Sequence, residues 1–543
     1  MEKIWLNVFR NEKFSHNGSS AWINMGYLTA ALKKNLNVDV QVNFYMLDEV
    51  DLAISDAIQS EPSIIGLTVL QFNCHACIEF SEKIKEKLPK VHITMGNTFA
   101  STYSSYLLQN YRSIDSIVIG EGEFSFVELC KYILNGMSLN QCKGIYYRNG
   151  IELCETEKRE LHDNLDDYPF PDRSFCENKV NVFGVLGSRG CYGNCTFCTI
   201  NTLFKGKVRI RSIVNILDEI ELLKINCGAK YINFYDSTFC IDRKDSINRL
   251  EQFYYGLLKK DLDINFSINL RTEQIDNRLL DVIIKLKDVG LDCIYFGIEA
   301  GNNEDLSIYG KPANVQNHLD ALNLLRENMI LSDNYDVSVD YGFINYHPYS
   351  KIENVKKNIQ FLRDSGLFFT FRRISSRFLN YGDCELSKKI EKDGLLLTSP
   401  GEPIKDPLAY RFVDPKIQTI YEINKEYAEQ FKQLDFPQYY EWISAYRRWK
   451  KFYSDRESKY TSIFNRYIKD QTLITQFVSD IMLDVVDKVD KNHSIDDIIK
   501  EHSKIISNKI DSLKDDYELF VATYQKLNID LFKKNELIVY KVR

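Results

Sequence analysis

Two blocks of alternating strand-like and helical segments most limit what this chain can fold into. Residues 1–140 alternate apolar runs such as Ile4–Phe9 and Ile64–Leu70 with amphipathic runs such as Ala76–Leu88. This repetition predicts an α/β fold with a doubly wound parallel sheet, whose ligands bind beyond the carboxyl ends of the strands. From about residue 180 to 385 the alternation returns, and six strand candidates, the last of them Phe368–Ile374, favour a partial (β/α)6 TIM-type barrel.

A polar connector and a helical tail complete the predicted organisation. The connector spans residues 141–178, and Pro169 and Pro171 enforce an extended path near its end. The tail is heavily charged, and its helical candidates include Lys459–Asp470 and Leu473–Val489. We therefore predict four units with bounds 1–140 for the first sheet domain, 141–178 for the linker, 179–385 for the barrel and 386–543 for a helical C-terminal domain.

Composition narrows the class of protein. The chain has 543 residues and a net charge of −7, which argues against a generic nucleic-acid binder. The sequence contains no apolar stretch of about 18 residues, so we expect no membrane span, and the first residues lack the apolar core of a signal peptide. Thirteen cysteines without a secretory signal favour free thiols or metal ligands in a reducing cytoplasm.

One local pattern carries the chemistry. Cys191, Cys195 and Cys198 follow a predicted strand at CxxxCxxC spacing, within a glycine-containing loop. Thiolates suit iron–sulfur clusters or zinc, but structural zinc prefers four protein ligands. Three close thiolates therefore favour a four-iron four-sulfur cluster with one iron left open to a ligand. The alternative is a loop with three unpaired cysteines.

This pattern resembles the radical S-adenosylmethionine (SAM) superfamily, in which an aromatic residue precedes the third cysteine, as Phe197 does here. The resemblance implies that the open iron binds SAM and that reduction yields a 5′-deoxyadenosyl radical. Later strand ends also resemble cofactor contacts of that superfamily. By this resemblance they are Asp236 for the SAM amine, Asn269 and Arg271 for the ribose and carboxylate, and Glu299 in Gly297-Ile298-Glu299-Ala300-Gly301 near the adenosine.

The layout of the first half resembles cobalamin-binding-domain radical SAM enzymes, which are similar to class B radical SAM methyltransferases. In that group a Rossmann-like domain and a proline-containing linker precede the barrel. The resemblance implies cobalamin at the strand ends, and the candidate contacts here are Thr68, Leu70, Gly96, Gly120 and Gly122. The DxHxxG motif that supplies a cobalt-ligating histidine is absent, and His16 lacks its surroundings. We therefore predict cobalamin without a protein histidine on cobalt; the alternative is a relic domain that serves as scaffold.

Several other residues leave alternatives open. For the CxxC of Cys74 and Cys77 the alternatives are a second cluster, a thiol relay, or a Cys74 that lines the corrin face or packs in the core. Cys240 is close to the predicted site. His347 is a substrate acid or base, or a hydrogen-bonded structural histidine. The aromatic stripe from Tyr439 to Trp449 favours a helix core, and substrate contact is the alternative.

These features together predict a cobalamin-dependent radical SAM methyltransferase acting on an unactivated carbon of a peptide, a secondary metabolite or a lipid precursor. The reaction would need an external electron donor resembling flavodoxin or ferredoxin. The cavity would lie between the Rossmann strand ends and the barrel top, closed by the helical tail. The rival hypotheses are rearrangement, cyclisation or epimerisation without methyl transfer, and a non-catalytic iron–sulfur or corrin-binding module.

Overall fold

The chain forms two β-sheets, each flanked by helices, followed by a set of long helices, as the sequence predicts. The computed structural model describes residues 1–10, 19–175, 181–204, 206–240, 243–328, 337–397, 409–434, 439–452 and 457–533. His16 and Cys176 lie outside these residues, as do the side chains of Tyr439 and Tyr440 in the aromatic stripe. No helix in the described ranges is both long enough and apolar enough to cross a bilayer.

The N-terminal sheet has seven strands in the order β2-β1-β3-β4-β5-β6-β7. The strands are β1 (Glu2–Arg10), β2 (Val38–Met46), β3 (Ile64–Thr68), β4 (His92–Gly96), β5 (Ser116–Val118), β6 (Ile145–Asn149) and β7 (Glu152–Glu155). The first five pair in parallel, and the order reverses between β1 and β3, which is where ligands bind in such sheets. The antiparallel hairpin β6–β7 falls inside the predicted connector, so the sheet extends beyond residue 140.

Six helices flank this sheet. They are α1 (Ser19–Asn35), α2 (Val50–Ser60), α3 (Cys74–Lys87), α4 (Thr98–Thr102), α5 (Ser104–Asn110) and α6 (Gly122–Leu134). Buried residues of α2 and α3 pack on one face of the sheet, whereas α1 and α6 pack on the other. This arrangement leaves the carboxyl ends of β3, β4 and β5 uncovered for a ligand.

The second sheet has five parallel strands in the order β14-β13-β12-β11-β8. These strands are β8 (Val182–Val185), β11 (Tyr231–Phe234), β12 (Asn265–Leu270), β13 (Leu291–Glu299) and β14 (Ser338–Phe343); the short pair β9 (Ser188–Arg189) and β10 (Arg209–Ile210) lies beside them. The surrounding helices are α7 (Thr199–Phe204), α8 (Ile213–Cys227), α9 (Arg243–Lys259), α10 (Asn277–Asp288), α11 (Asn303–Ile308), α12 (Val315–Glu327) and α13 (Ile352–Asp364).

The prediction of a sixth barrel strand at Phe368–Ile374 is wrong. Residues Phe371–Ile374 form a short helix, α14, and only a parallel bridge between Tyr346 and Arg377 continues the sheet there. The cause is tertiary packing, because Phe371 is fully buried and its ring lies 5.7 Å from Tyr427 and 5.5 Å from Phe431 of the tail. The barrel is therefore partial and has five paired strands.

The barrel interior is polar. Along β12, Phe266 and Ile268 are buried towards the helices, whereas Ser267 and Asn269 are half-buried on the opposite face. Ser267 donates a hydrogen bond of 2.9 Å to Asn233 of the neighbouring strand. Branched apolar residues fill the interior of a complete TIM barrel, so this polar interior is suited to hold a ligand.

The tail packs on the outside of the barrel and shares its core. Its helices are α15 (Glu385–Lys392), α16 (Pro415–Phe431), α17 (Tyr439–Phe452), α18 (Glu457–Asp490) and α19 (Ile495–Lys533). The two helices predicted at Lys459–Asp470 and Leu473–Val489 are one continuous helix of 34 residues, because Gln471 and Thr472 between them do not break a helix. Trp449 is fully buried in a small core formed by α17, α18 and α19, which makes it a core residue.

Candidate active site

The cysteine loop follows the first barrel strand, β8, and is hydrogen-bonded to the end of helix α11. The amide of Thr196 donates to the carbonyl of Tyr309 at 2.9 Å, and its hydroxyl donates to the carbonyl of Ile308 at 2.7 Å. Cys191, Cys195 and Cys198 are half-buried in this loop, whereas Cys74, Cys77 and Cys240 are fully buried. Cys154 and Cys227 are half-buried too, but only the three motif thiols share one loop, so among the described cysteines they are the ones placed to bind a shared metal group.

Burial keeps two of these thiols protonated until a metal binds. Burial raises the pKa of the Cys195 thiol, against the opposing effect of Lys311 and Arg271. Burial likewise raises the pKa of Cys198 to about 11. Thiols held in such surroundings lose their protons when a cation binds them, as iron does.

Arg271, predicted as a SAM contact, lies directly beside the cysteine loop. Its guanidinium stands 5.0 Å from the ring centroid of Tyr192, and its Nη1 lies 4.0 Å from the Cys191 sulfur. A side chain at position 193 would collide with it, since a Cβ on Gly193 would lie 2.2 Å from Nη1. Nε donates to Glu273 at 2.5 Å, while the buried Nη2 has no hydrogen-bond partner within the described residues. That buried donor fits an anionic group bound at the cluster, such as a carboxylate.

Glu299, the second predicted SAM contact, is folded back into the barrel. Its φ of +71° is a left-handed conformation that a glutamate rarely adopts. The paired glycines Gly297 and Gly342 make room for the carboxylate, since a Cβ on either would lie within 2.9 or 3.1 Å of its oxygens. Burial raises the pKa of Glu299, and Lys311 and Arg271 oppose that shift. Such strain at a half-buried acceptor points to a functional site.

The remaining predicted SAM residues lie nearby but use their polar groups within the protein. The Asp236 carboxylate accepts from the Gly187 amide at 2.8 Å and from the Ser188 hydroxyl at 2.5 Å. Asn269 donates to the carbonyl of Asp236 at 2.8 Å. Asp236 thus fixes the segment that leads into the cysteine loop, and its direct contact with SAM stays a prediction. The ring of Phe197 packs edge-on against Tyr309, with centroids 5.5 Å apart.

A cleft separates the two sheets at their strand ends. Its cavity volume is about 340 Å³, within the range of about 300–1,000 Å³ that is usual for small-molecule pockets. Thr68, Gly96, Gly120 and Gly122 line it, as predicted, whereas Leu70 is not part of the lining. Ser188, Arg189 and Gly190 line it from the barrel side, so one cleft touches both predicted cofactor regions.

Other candidates have structural roles. Cys74 is fully buried and does not line the cleft, so it packs in the core. His347 is fully buried, its Nε2 lies 3.1 Å from Asp305, and its Nδ1 accepts from the Tyr349 amide at 3.3 Å. It is the hydrogen-bonded structural histidine of the two alternatives.

The described residues of the tail lie away from the cleft. No residue after 385 lines it within the described ranges; helices α4 and α7 stand at its rim instead. The two rims meet at Asp383, whose carbonyl accepts from Thr202 at 2.8 Å and whose carboxylate accepts from Thr102 at 3.4 Å. The described part of the tail packs on the barrel instead, and the amide of Leu386 donates to the carbonyl of Thr196 in the cysteine loop at 2.8 Å; closure of the cleft by the tail stays a prediction.

Comparison with known proteins matches each of these two regions to a family model. The family model of the B12 binding domain matches residues 15–130, and that of the radical SAM superfamily matches residues 185–339. The chain contains a B12-binding domain and a radical SAM domain. The radical SAM domain implies a four-iron four-sulfur cluster and SAM, and the B12-binding domain implies cobalamin.

The chain is similar to several known proteins. The chain is 26% identical over 285 residues to an uncharacterized methyltransferase of Pyrococcus horikoshii, covering 50% of this chain and 60% of that one. It is 28% identical over 329 residues to an anaerobic magnesium-protoporphyrin IX monomethyl ester cyclase of Cereibacter sphaeroides, covering 58% and 52%. The chain thus spans little more than half the length of these two relatives. The solved structure of the cobalamin-dependent radical enzyme OxsB, with aqua-cobalamin and SAM bound, has the same fold, with a TM-score of 0.69, 18% identity and coverage of 94% of this chain and 84% of that one.

The residues present fit these cofactors. The radical SAM domain offers three accessible thiols and the buried, unpartnered Nη2 of Arg271 beside them. The B12-binding domain offers a wide cleft, and a Cβ at Gly96 would meet only Val118, at 4.0 Å. Bare backbone at that strand end lets a flat macrocycle approach closely.

Sequence reasoning missed two residues of the site. Lys311 donates from Nζ to the Gly297 carbonyl at 2.8 Å, beside Glu299, and Tyr295 faces the barrel interior with 37% of its surface exposed. Lys311 follows a helix and carries no motif, so no sequence signal marks it. Tyr295 lies two residues before Gly297 on an alternating strand, and that period-2 pattern was the available signal.

Proposed function

We propose that this protein is a cobalamin-dependent radical SAM methyltransferase that methylates an unactivated carbon of a peptide or secondary-metabolite substrate. The observation that carries this proposal is the shared cleft. Gly96 and Gly120 line it from the B12-binding domain, and Ser188 and Arg189 line it from the segment that leads to the cluster ligands. A methyl donor in the cleft and a radical source at the cysteine loop would face one substrate.

Residues of this chain would hold the reactants in place. When bound, the cluster and SAM supply the radical that activates a C–H bond, and cobalamin supplies the methyl group. Cys191, Cys195 and Cys198 would hold the cluster, while Arg271 would orient the SAM carboxylate. The polar barrel interior, with Ser267 and Tyr295, would bind the substrate. Reduction requires an external donor resembling flavodoxin or ferredoxin, and such chemistry suits a reducing cytoplasm.

The proposal is tested with isotope-labelled SAM. Anaerobic enzyme, reconstituted with iron, sulfide and hydroxocobalamin, is incubated with a reductant, methyl-labelled SAM and extracts of cells that lack the active protein. We expect a compound that gains one labelled methyl group and is absent from boiled-enzyme controls. An isomerised or cyclised product without label would instead favour the second candidate, which the similarity to a cyclase supports. A protein that forms no 5′-deoxyadenosine would be a non-catalytic module.

Cobalamin should bind without a protein histidine on cobalt. None of the described residues that line the cleft is a histidine, and His75 is exposed and outside the lining. We expect the cobalt(II) form of the reconstituted protein to show no nitrogen superhyperfine splitting from an imidazole in its EPR spectrum. Splitting that disappears in H16A or H75A would contradict this expectation and identify the ligand.

Glu299→Gln and Asp236→Asn should each weaken SAM binding while the cluster stays intact. A charge-assisted hydrogen bond is worth about 1.5–3 kcal/mol, which corresponds to roughly ten- to a hundredfold in affinity. Asp236→Asn would act through the Gly187 amide and the Ser188 hydroxyl that the carboxylate now accepts from. Equilibrium dialysis of cluster-loaded protein measures the SAM affinity, with the exposed Glu304→Gln as the control. Unchanged affinity in both variants would refute the proposed pocket.

A further inference from the structure

Two glutamates and two arginines form a charge cluster where the B12-binding domain meets the cysteine loop. This interdomain charge cluster consists of Glu121, Glu123, Arg189 and Arg209. Arg189 bridges both carboxylates, with Nη1 lying 3.1 Å from Glu121 and Nη2 lying 2.6 Å from Glu123. Arg209 donates to Glu121 at 2.5 and 3.0 Å. The four charges are thus paired within the cluster.

The cluster is largely removed from solvent. The side chains of Arg189 and Glu123 are 11% and 9% exposed. The Arg189 guanidinium lies between two rings, 5.0 Å from the centroid of Tyr27 and 4.7 Å from that of Tyr168. The Tyr168 hydroxyl also donates to Glu121 at 3.0 Å. Burial raises the pKa of Glu121, but its arginine partners outweigh that effect and hold the pKa below its usual value. The pairs therefore stay charged and ordered.

Both ends of the cluster belong to cofactor regions. Arg189 stands two residues before Cys191, on a strand that pairs with the strand of Arg209. Glu121 and Glu123 follow Gly120 and line the cleft together with Arg189. The path from the cleft wall to the first cluster ligand is therefore one ion pair and two residues of backbone.

We propose that Arg189 is a positioning residue that fixes the cysteine loop relative to the corrin cleft, so that occupancy of the cleft and the geometry of the loop are coupled. The coupling to cobalamin rests on the proposed function. Lysine at this position would keep the charge but lose the planar fork, in which two separate nitrogens donate to the two carboxylates while the guanidinium lies between two rings.

The first test needs no cobalamin. In anaerobic, cluster-loaded protein, hydrogen exchange is measured in the peptide that covers residues 187–198, for wild type, E123Q and R189Q. We expect exchange there to be about tenfold faster in E123Q, although the substitution lies in the other domain. The EPR spectrum of the reduced, SAM-bound cluster should also shift. The matched control is D292N, which breaks a buried ion pair with Arg447 away from the cleft and should change neither readout.

The outcomes separate the two proposals. If R189Q leaves exchange in residues 187–198 and the EPR spectrum unaltered, and E123Q changes exchange only around residues 119–130, Arg189 is not a positioning residue. If hydroxocobalamin slows exchange in residues 187–198 of wild type but not of E123Q, although both bind it, the coupling is supported. Equal slowing in both would overturn the coupling. If wild type binds no hydroxocobalamin, the proposed function fails, and the cobalamin-free arm still decides the role of Arg189.

Discussion

Replacing Cys191, Cys195 and Cys198 together with alanine is expected to remove the cluster and abolish SAM cleavage. Each protein-bound iron needs its own thiolate, and the other described cysteines are not part of this loop. Iron and sulfide analysis, the optical spectrum near 400 nm and chromatographic detection of 5′-deoxyadenosine would measure both effects, with formation of the nucleoside falling by about 10³-fold or more, to background.

The control for this variant is Cys227→Ala. Cys227 is half-buried like the motif cysteines, but it is the last residue of helix α8 and lies outside the cysteine loop. The Cys227→Ala variant should retain iron, sulfide and cleavage activity at wild-type level. A triple variant that keeps a full iron–sulfur spectrum and still makes 5′-deoxyadenosine would show that the cluster is held elsewhere.

Gly96→Phe is expected to abolish cobalamin binding, whereas Gly96→Ala should preserve it. A Cβ at this position would meet only Val118, at 4.0 Å, which is an ordinary contact. The alanine therefore fits, but a benzyl group would occupy the space of the cleft that Gly96 lines. We expect the affinity for hydroxocobalamin to fall at least about a hundredfold, which corresponds to the loss of roughly 2.8 kcal/mol.

Gel filtration after reconstitution, followed by cobalt analysis, measures this loss. The iron–sulfur spectrum should be unchanged in both variants, because Gly96 belongs to the other domain. Equal cobalamin retention by the phenylalanine and alanine variants would show that the corrin does not use this cleft. No retention by wild type would favour the relic-domain interpretation, and the methyltransferase proposal would fail with it.

Local chemistry in the sequence was enough to predict the fold class and to point to a metal site, which stays a prediction. Three cysteines at fixed spacing after a strand offer three soft thiolate donors, and that number and type of donor favour an iron–sulfur cluster over structural zinc. The strand and helix periods of residues 1–140 likewise follow from side-chain burial in each segment, and the observed strands β1 to β5 agree with them. No long-range contact was needed for these inferences.

Tertiary structure decided what each polar side chain does. Asp236 lies at a strand end, as predicted, but its carboxylate accepts hydrogen bonds from Gly187 and Ser188. These two residues follow the neighbouring strand β8, so only the pairing of the strands places them beside Asp236. Residues Phe371–Ile374 have a strand-like composition but form a helix, because Phe371 packs against the tail. The role of Arg189 depends on glutamates more than sixty residues away in sequence. Hydrogen bonds, ion pairs and ring contacts between distant segments depend on how the elements pack, and the periodicity of a single segment does not encode that packing.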